Sequence, residues 1–303
     1  MDSILKSNKI AAGAHLLTAL TVIWAYNHWP VVQDKASIKA YRMQIAGPDT
    51  PDQCTTSGGT APTPDQCQVE ITFQQPTTVF SANVIYGAVA FFLITAAAHL
   101  WYGTDGFGSG SYSSAIAEGW NPYRWFEYGL SASIMTVIIG LVDGTRDATT
   151  LAALFGATTA MMLTGFVTES LLRGRGAISN ASRDAITGST VVGWLLFVTV
   201  WATLIYSFGT LVSDVKTLYK NEVDANGKPV RVPSWIWYIV IMQLLYYAAF
   251  GIVQALHVHD RLSGRTKFEY ATVEKRYIQL SYFSKLSLAS GIAYGLIWRT
   301  KDC

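Results

Sequence analysis

Charge is what this sequence has little of. Only 22 Lys or Arg and 20 Asp or Glu occur among 303 residues, 14% in all, against about 25% for an ordinary soluble domain. A soluble protein of this size needs more polar surface than that. The shortage is also unevenly spread. Residues 10–33, 71–104, 148–168, 185–213 and 232–259 hold no charged side chain at all. Each run supplies the roughly 20 apolar residues that cross a bilayer. Two further apolar stretches, 123–142 and 271–298, are each broken by a deep charge, Glu127 and Lys285. The count is seven spans, near 9–29, 79–101, 114–142, 148–172, 187–212, 233–257 and 270–298. This excludes a soluble globular enzyme, a disordered chain and a single-span receptor. The expected fold is an all-α seven-helix membrane bundle of one domain. Its surroundings are the lipid bilayer, and it is not expected to be an enzyme. A net charge of +2 gives no case for a nucleic-acid partner.

Cysteine is scarce too, with three in the chain. Two of them, Cys54 and Cys67, close a repeated Thr-Pro-Asp-Gln-Cys segment in the long polar loop 31–78. A disulfide between them would need an oxidising compartment; two free thiols on a tandem duplication are the alternative. The flanks 41–45 and 68–73 alternate in a strand-like way, so the loop is read as an extracellular β-hairpin. That places the N-terminus in the cytoplasm and the C-terminus outside. Basic residues do not decide orientation, with 8 on one set of loop flanks and 10 on the other. The first apolar run has no small-residue cleavage site behind it and is expected to stay as a helix. Cys303 is read as a free thiol. No His/Cys/Asp/Glu spacing suggests a metal site.

What is present is an acid and an amine where the bilayer disfavours both. Lys285 lies about 14 residues from either end of its span. At about 1.5 Å per residue that is about 20 Å of helix, too far for comfortable snorkelling. A lysine there needs a partner, a neutral form or a covalent role such as a Schiff base with an aldehyde. Glu127 is the natural partner, although an interfacial pair with Arg124 one turn away is the simpler alternative. The depths of Glu127 and Lys285 match only if the third helix begins near Ser113 and kinks at Pro122. Ser281 precedes Lys285 by one turn and shares its face. His15 and His99 lie inside the first two spans and are candidate proton acceptors, or simply packed side chains.

An apolar slot is expected beside this centre. Trp194, Phe197, Val198 and Trp201 form a helical stripe on span five. Tyr246, Tyr247 and Phe250 crowd span six. Ser131 and Met135 follow Glu127 at one and two turns. Stripes of this kind also serve plain helix packing. Glu118 and Glu169 are possible further steps on a proton route, or solvated groups near the membrane faces.

Two stretches carry a family resemblance. Arg124-Trp-Phe-Glu-Tyr-Gly-Leu-Ser-Ala-Ser-Ile-Met135 resembles the third-helix signature of the heliorhodopsins, retinal-binding microbial rhodopsins, with Gly129 standing where serine is common. Ser281-Tyr-Phe-Ser-Lys-Leu-Ser-Leu-Ala-Ser290 resembles their seventh-helix signature. Asn8, His15 and His99 match the spacing on the first two helices. The resemblance implies all-trans retinal bound covalently to Lys285, Glu127 as counterion and Ser281 supporting the Schiff base. It implies His15 and His99 in the adjoining polar network, a cytoplasmic N-terminus and a homodimer. The function it implies is a photoreceptor with an unidentified signalling partner. A light-gated proton channel or transporter is the rival. A ligand-activated seven-helix receptor is the third reading; span three does not end in Asp-Arg-Tyr.

Overall fold

The computed structural model describes residues 1–28, 36–42, 45–46, 72–73, 77–174, 176, 178–223, 227, 229–264 and 269–298. Seven long helices run through these residues. They are α1 (Asp2–His28), α2 (Val84–Gly103), α3 (Pro122–Asp143), α4 (Ala148–Leu172), α5 (Asn180–Leu218), α6 (Ser234–Leu262) and α7 (Tyr270–Trp298). The first six are long and apolar enough to cross a membrane. The last carries Glu274, Lys275, Arg276 and Lys285 and packs among the others. The 39 residues of α5 make a rod of about 58 Å, about twice the hydrocarbon thickness of a bilayer.

The chain sets these boundaries locally. Asn83 accepts from the backbone N–H of Ile85 and Tyr86 at 3.0 and 3.2 Å and caps α2. Asn121 accepts from Arg124 N at 3.2 Å, and Pro122 takes the first position of α3, where its missing N–H costs nothing. Gly144, at φ 106°, ends α3 in the left-handed region. Asp147 caps α4, and Ser179 caps α5. The main core lies between the helices and is built of residues such as Phe91, Phe92, Ile139, Leu204, Ile239 and Leu288, all fully or nearly fully buried. Helices α1 and α2 approach closely. A Cβ on Gly103 would stand 2.9 Å from the backbone nitrogen of Lys9.

Three sequence expectations change here. Residues 79–83 are not the start of span two. They belong to strand β4 (Thr77–Asn83), which pairs antiparallel with β1 (Ser37–Arg42). An uncharged run rich in threonine and valine suits a pleated strand as well as a helix. The short strands β2 (Ile45–Ala46) and β3 (Thr72–Phe73) extend the same hairpin. Its pairing therefore reaches further from the tip than the expected 41–45 and 68–73. Tyr41 N donates to Arg146 O at 2.7 Å, tying the hairpin to the turn between α3 and α4. Cys54, Cys67 and Cys303 lie outside the described residues.

The second change concerns the third helix. It does not run from Ser113 through a kink at Pro122. A separate short helix, Ser111–Ala117, stops before Gly119 (φ 84°), and α3 starts afresh at its Asn121 cap. The third is a smaller shift: α1 and α6 extend beyond their expected spans, to residues 2 and 262. In the loop between α5 and α6, an isolated antiparallel bridge joins Val223 and Pro229.

Candidate functional site

The two deep charges meet. Lys285 Nζ stands 3.5 Å from Glu127 Oε1, with the side chains 3% and 4% exposed. Lys285 also donates to Ser281 Oγ at 2.8 Å. Its nitrogen lies 5.2 Å from the centre of the Tyr128 ring. Glu127 accepts from Ser131 Oγ at 2.8 Å and from Thr95 Oγ1 of α2. Two hydroxyls and one amine thus converge on Glu127 Oε1 in a buried site, the kind of pairing a buried charge requires.

The depth difference closes without the kink. Helix α7 overhangs the start of α3, so that Glu274, in its second turn, is level with Asn121 and Arg124. The lysine then folds back one turn toward Ser281, the direction helical side chains favour. Glu127 can therefore sit near the start of its helix and still face an amine from the middle of α7.

His15 and His99 stack beside this pair, ring centres 5.4 Å apart and planes 5° from parallel. His99 follows Thr95 by one turn. The Asn8 amide donates from Nδ2 to Ile4 O and to Tyr112 Oη, at 3.1 and 3.0 Å. That fixes its Oδ1 as the atom 2.7 Å from His99 Nδ1. An amide oxygen only accepts, so His99 carries its proton on Nδ1 and offers Nε2 as an acceptor. Among the described residues, His99 Nε2 and both nitrogens of His15 are buried without a hydrogen-bond partner.

A second buried ionic group lies toward the start of α7. Arg124 pairs with Glu169 of α4 and Glu274 of α7, not with Glu127. Glu274 also accepts from Asn121 Nδ2 at 2.8 Å and from Tyr112 Oη at 3.3 Å. Glu169 accepts from Trp125 Nε1 at 2.9 Å and Tyr270 Oη at 3.0 Å. Hydrogen bonds therefore run from His99 through Asn8 and Tyr112 to this cluster. Of the two acids expected near membrane faces, Glu169 is fully buried in the cluster. Glu118 is exposed in the loop before α3 and paired with Arg173. That guanidinium donates to it and holds its carboxyl below the usual carboxylate range.

Lys285 opens on a cavity of about 100 Å³. Met135, Trp194, Phe197, Tyr247 and Phe250 line it, as the sequence stripes suggest. Four expected wall residues do not. Trp201 stands behind Tyr247, its ring 5.5 Å away, and Ser131 serves Glu127. Tyr246 is turned away, since its neighbour Tyr247 takes the inward face of α6. Val198, in the same stripe as Trp194, is 57% exposed on the outside of the bundle. The sequence reading missed Trp125, Tyr128, Met161, Met162 and Tyr277, which also line it. Trp125 follows Arg124 and Tyr277 follows Arg276, so neither falls in an uncharged stripe. Its wall is mostly apolar, aromatic and sulfur-bearing, with a few hydroxyl side chains, one amide and one amine, the kind of lining that small-molecule sites have. It suits an apolar molecule tied to a primary amine.

A protein-family model described as Heliorhodopsin matches residues 55–297. No curated protein sequence matches the chain.

Proposed function

The chain belongs to the heliorhodopsin family, and on that footing we propose that it is a light sensor holding all-trans retinal covalently on Lys285, with Glu127 as counterion. Family membership makes it an integral, multi-pass membrane rhodopsin with a retinal chromophore. The observation that carries the finer reading is the buried Lys285–Glu127 pair at the wall of an aromatic cavity. The residues fit the chromophore. Lys285 supplies the amine, and Met135, Trp194, Phe197, Tyr247 and Phe250 supply apolar wall.

Bound at Lys285, retinal supplies absorption of visible light and a change of shape on isomerisation. The protein's own groups govern the response. A proton on Lys285 Nζ is held by Glu127 and Ser281. Thr95 and Ser131 donate to Glu127 and hold its carboxyl group in place. When the nitrogen is displaced from Glu127, the proton has buried acceptors within the same polar region, His99 Nε2 and His15. Helix rearrangement then reports the event to a signalling partner. We place the N-terminus in the cytoplasm and the hairpin outside, and we expect a homodimer.

One observation favours a second reading, light-gated proton transport. Polar groups continue from His99 through Asn8 and Tyr112 to Glu274, Arg124 and Glu169. Patch-clamp recording in illuminated cells separates the two. A photocurrent establishes transport; none at any voltage leaves sensing. The pigment itself is tested by growth with retinal. Wild type should show a visible band and Lys285→Ala none. A wild type without such a band refutes the proposal.

A further inference from the structure

We propose that Trp125 is a positioning residue that couples the chromophore cavity to the buried Arg124–Glu169–Glu274 cluster. The inference rests on the retinal reading and extends it to the group that senses the cavity's change of shape.

Trp125 belongs to both places at once. Its indole forms part of the cavity wall, and its Nε1 donates to Glu169 Oε2 at 2.9 Å. Only 6% of the residue is exposed. The ring has no room to retreat. A Cβ on Gly165 of α4 would collide with its Cζ3, Cη2 and Cε3 atoms, so the six-membered ring lies directly on the α4 backbone. Glycine is required at 165 for that close approach. A push from the cavity must therefore turn the indole rather than shift it bodily, because packed interiors yield by rearrangement rather than compression. Turning moves Nε1 relative to Glu169.

The cluster is built to register that movement. Glu169 is fully buried, and its Oε2 accepts from Trp125, from Asn121 N at 3.2 Å and from Tyr270 Oη at 3.0 Å, while Oε1 takes Arg124. Two carboxylates share one guanidinium there. In a low-dielectric site, the loss of one donor to such a group changes the balance of proton and charge among them. Tyr277 backs the arrangement from the other side. It also lines the cavity, stands edge-on to Trp125 with ring centres 6.2 Å apart, and lies 3.9 Å beneath the Arg124 guanidinium.

The test uses the full chain, with and without all-trans retinal. In the retinal-free protein, ultraviolet resonance Raman spectra should show a hydrogen-bonded indole N–H that Trp125→Phe removes and Glu169→Gln weakens. An indole signal indifferent to Glu169→Gln overturns the proposal. In the pigment, light-minus-dark infrared spectra should contain a carboxyl band that Glu169→Gln abolishes. In the Trp125→Phe pigment, at whatever wavelength its visible band lies, that carboxyl band should be lost. Gly165→Ala, which keeps the N–H but crowds the ring, should shift it. The proposal is overturned if the Glu169 band persists unchanged in Trp125→Phe, if Gly165→Ala leaves it in place, or if wild type has no such band. Should Trp125→Phe fail to fold, the Gly165→Ala and Glu169→Gln results decide. Absence of any visible band in wild type is a different result. It refutes the retinal reading, and this inference falls with it.

Discussion

Lys285 and Glu127, 158 positions apart in sequence, face one another across 3.5 Å inside the bundle, and hydroxyls of Thr95, Ser131 and Ser281 complete the shell around them. A cation on Lys285 Nζ is stabilised by the charge of Glu127. Glu127→Gln removes that charge and keeps the shape. In the pigment it should move the visible band strongly to longer wavelength, because the ground-state cation loses its stabilising partner. Glu118→Gln, on the exposed acid held by Arg173, should leave the band where it is. Absorption spectra of the three proteins decide. An unshifted Glu127→Gln band would pass the counterion role to another carboxylate.

The Arg124 cluster makes a prediction about stability. Arg124→Gln leaves Glu169 and Glu274 buried without a counter-charge. Breaking a buried pair in this way costs about 3–5 kcal/mol. The triple change Arg124→Gln, Glu169→Gln, Glu274→Gln should recover much of the loss. Thermal unfolding in detergent measures both. A single variant as stable as wild type would mean the cluster is not a charged one.

Outside the bundle, Asp147 gives a pH-dependent test. Its Oδ1 accepts from Thr149 Oγ1 at 2.6 Å, Thr150 N at 2.7 Å and Thr150 Oγ1 at 2.8 Å. The Thr149 hydroxyl, followed by the Thr150 donors, holds the carboxyl below its usual range. A lowered folded value means the contribution is present in full above the unfolded value of about 4 and fades as pH falls through the folded one. Asp147→Ala should cost about 1 kcal/mol near neutral pH, the usual worth of such a cap. The gap to wild type should narrow in acid. A gap independent of pH, or none, would contradict this.

Close packing between α6 and α7 can be probed at Gly291. A Cβ there would meet Ile239 Cγ1 at 2.7 Å. Gly291→Ala should destabilise the fold by about 1–3 kcal/mol, and its cost should fall in an Ile239→Ala background, which is itself less stable for the lost core side chain. Membrane helices rely on such small-residue contacts because lipid gives no hydrophobic drive between them. Thermal unfolding measures it, and a cost of Gly291→Ala that is the same in both backgrounds would argue against the contact.

How far the sequence was legible depends on the kind of residue. Lys285 and Glu127 stood out because an isolated charge in an apolar run needs a reason. The hairpin was visible in its alternation, but β4 was not, since an uncharged stretch such as Thr77–Asn83 satisfies strand and helix alike. The break at Gly119 was obscured by Pro122, which marks a helix start as readily as a kink. The Arg124 cluster could not be read at all. Its partners lie 45 and 150 positions away, and Glu274 sits in a charged stretch that resembles a solvated helix end. Trp125 escaped for the same reason, being adjacent to that arginine.

The photoreceptor needs a covalent chromophore on one lysine, Lys285. Borohydride reduction of the pigment formed with all-trans retinal, followed by peptide mass spectrometry, locates that bond. A retinyl adduct should appear on the peptide containing Lys285 and be absent from Lys285→Ala. An adduct on another lysine, or none in wild type, would contradict it.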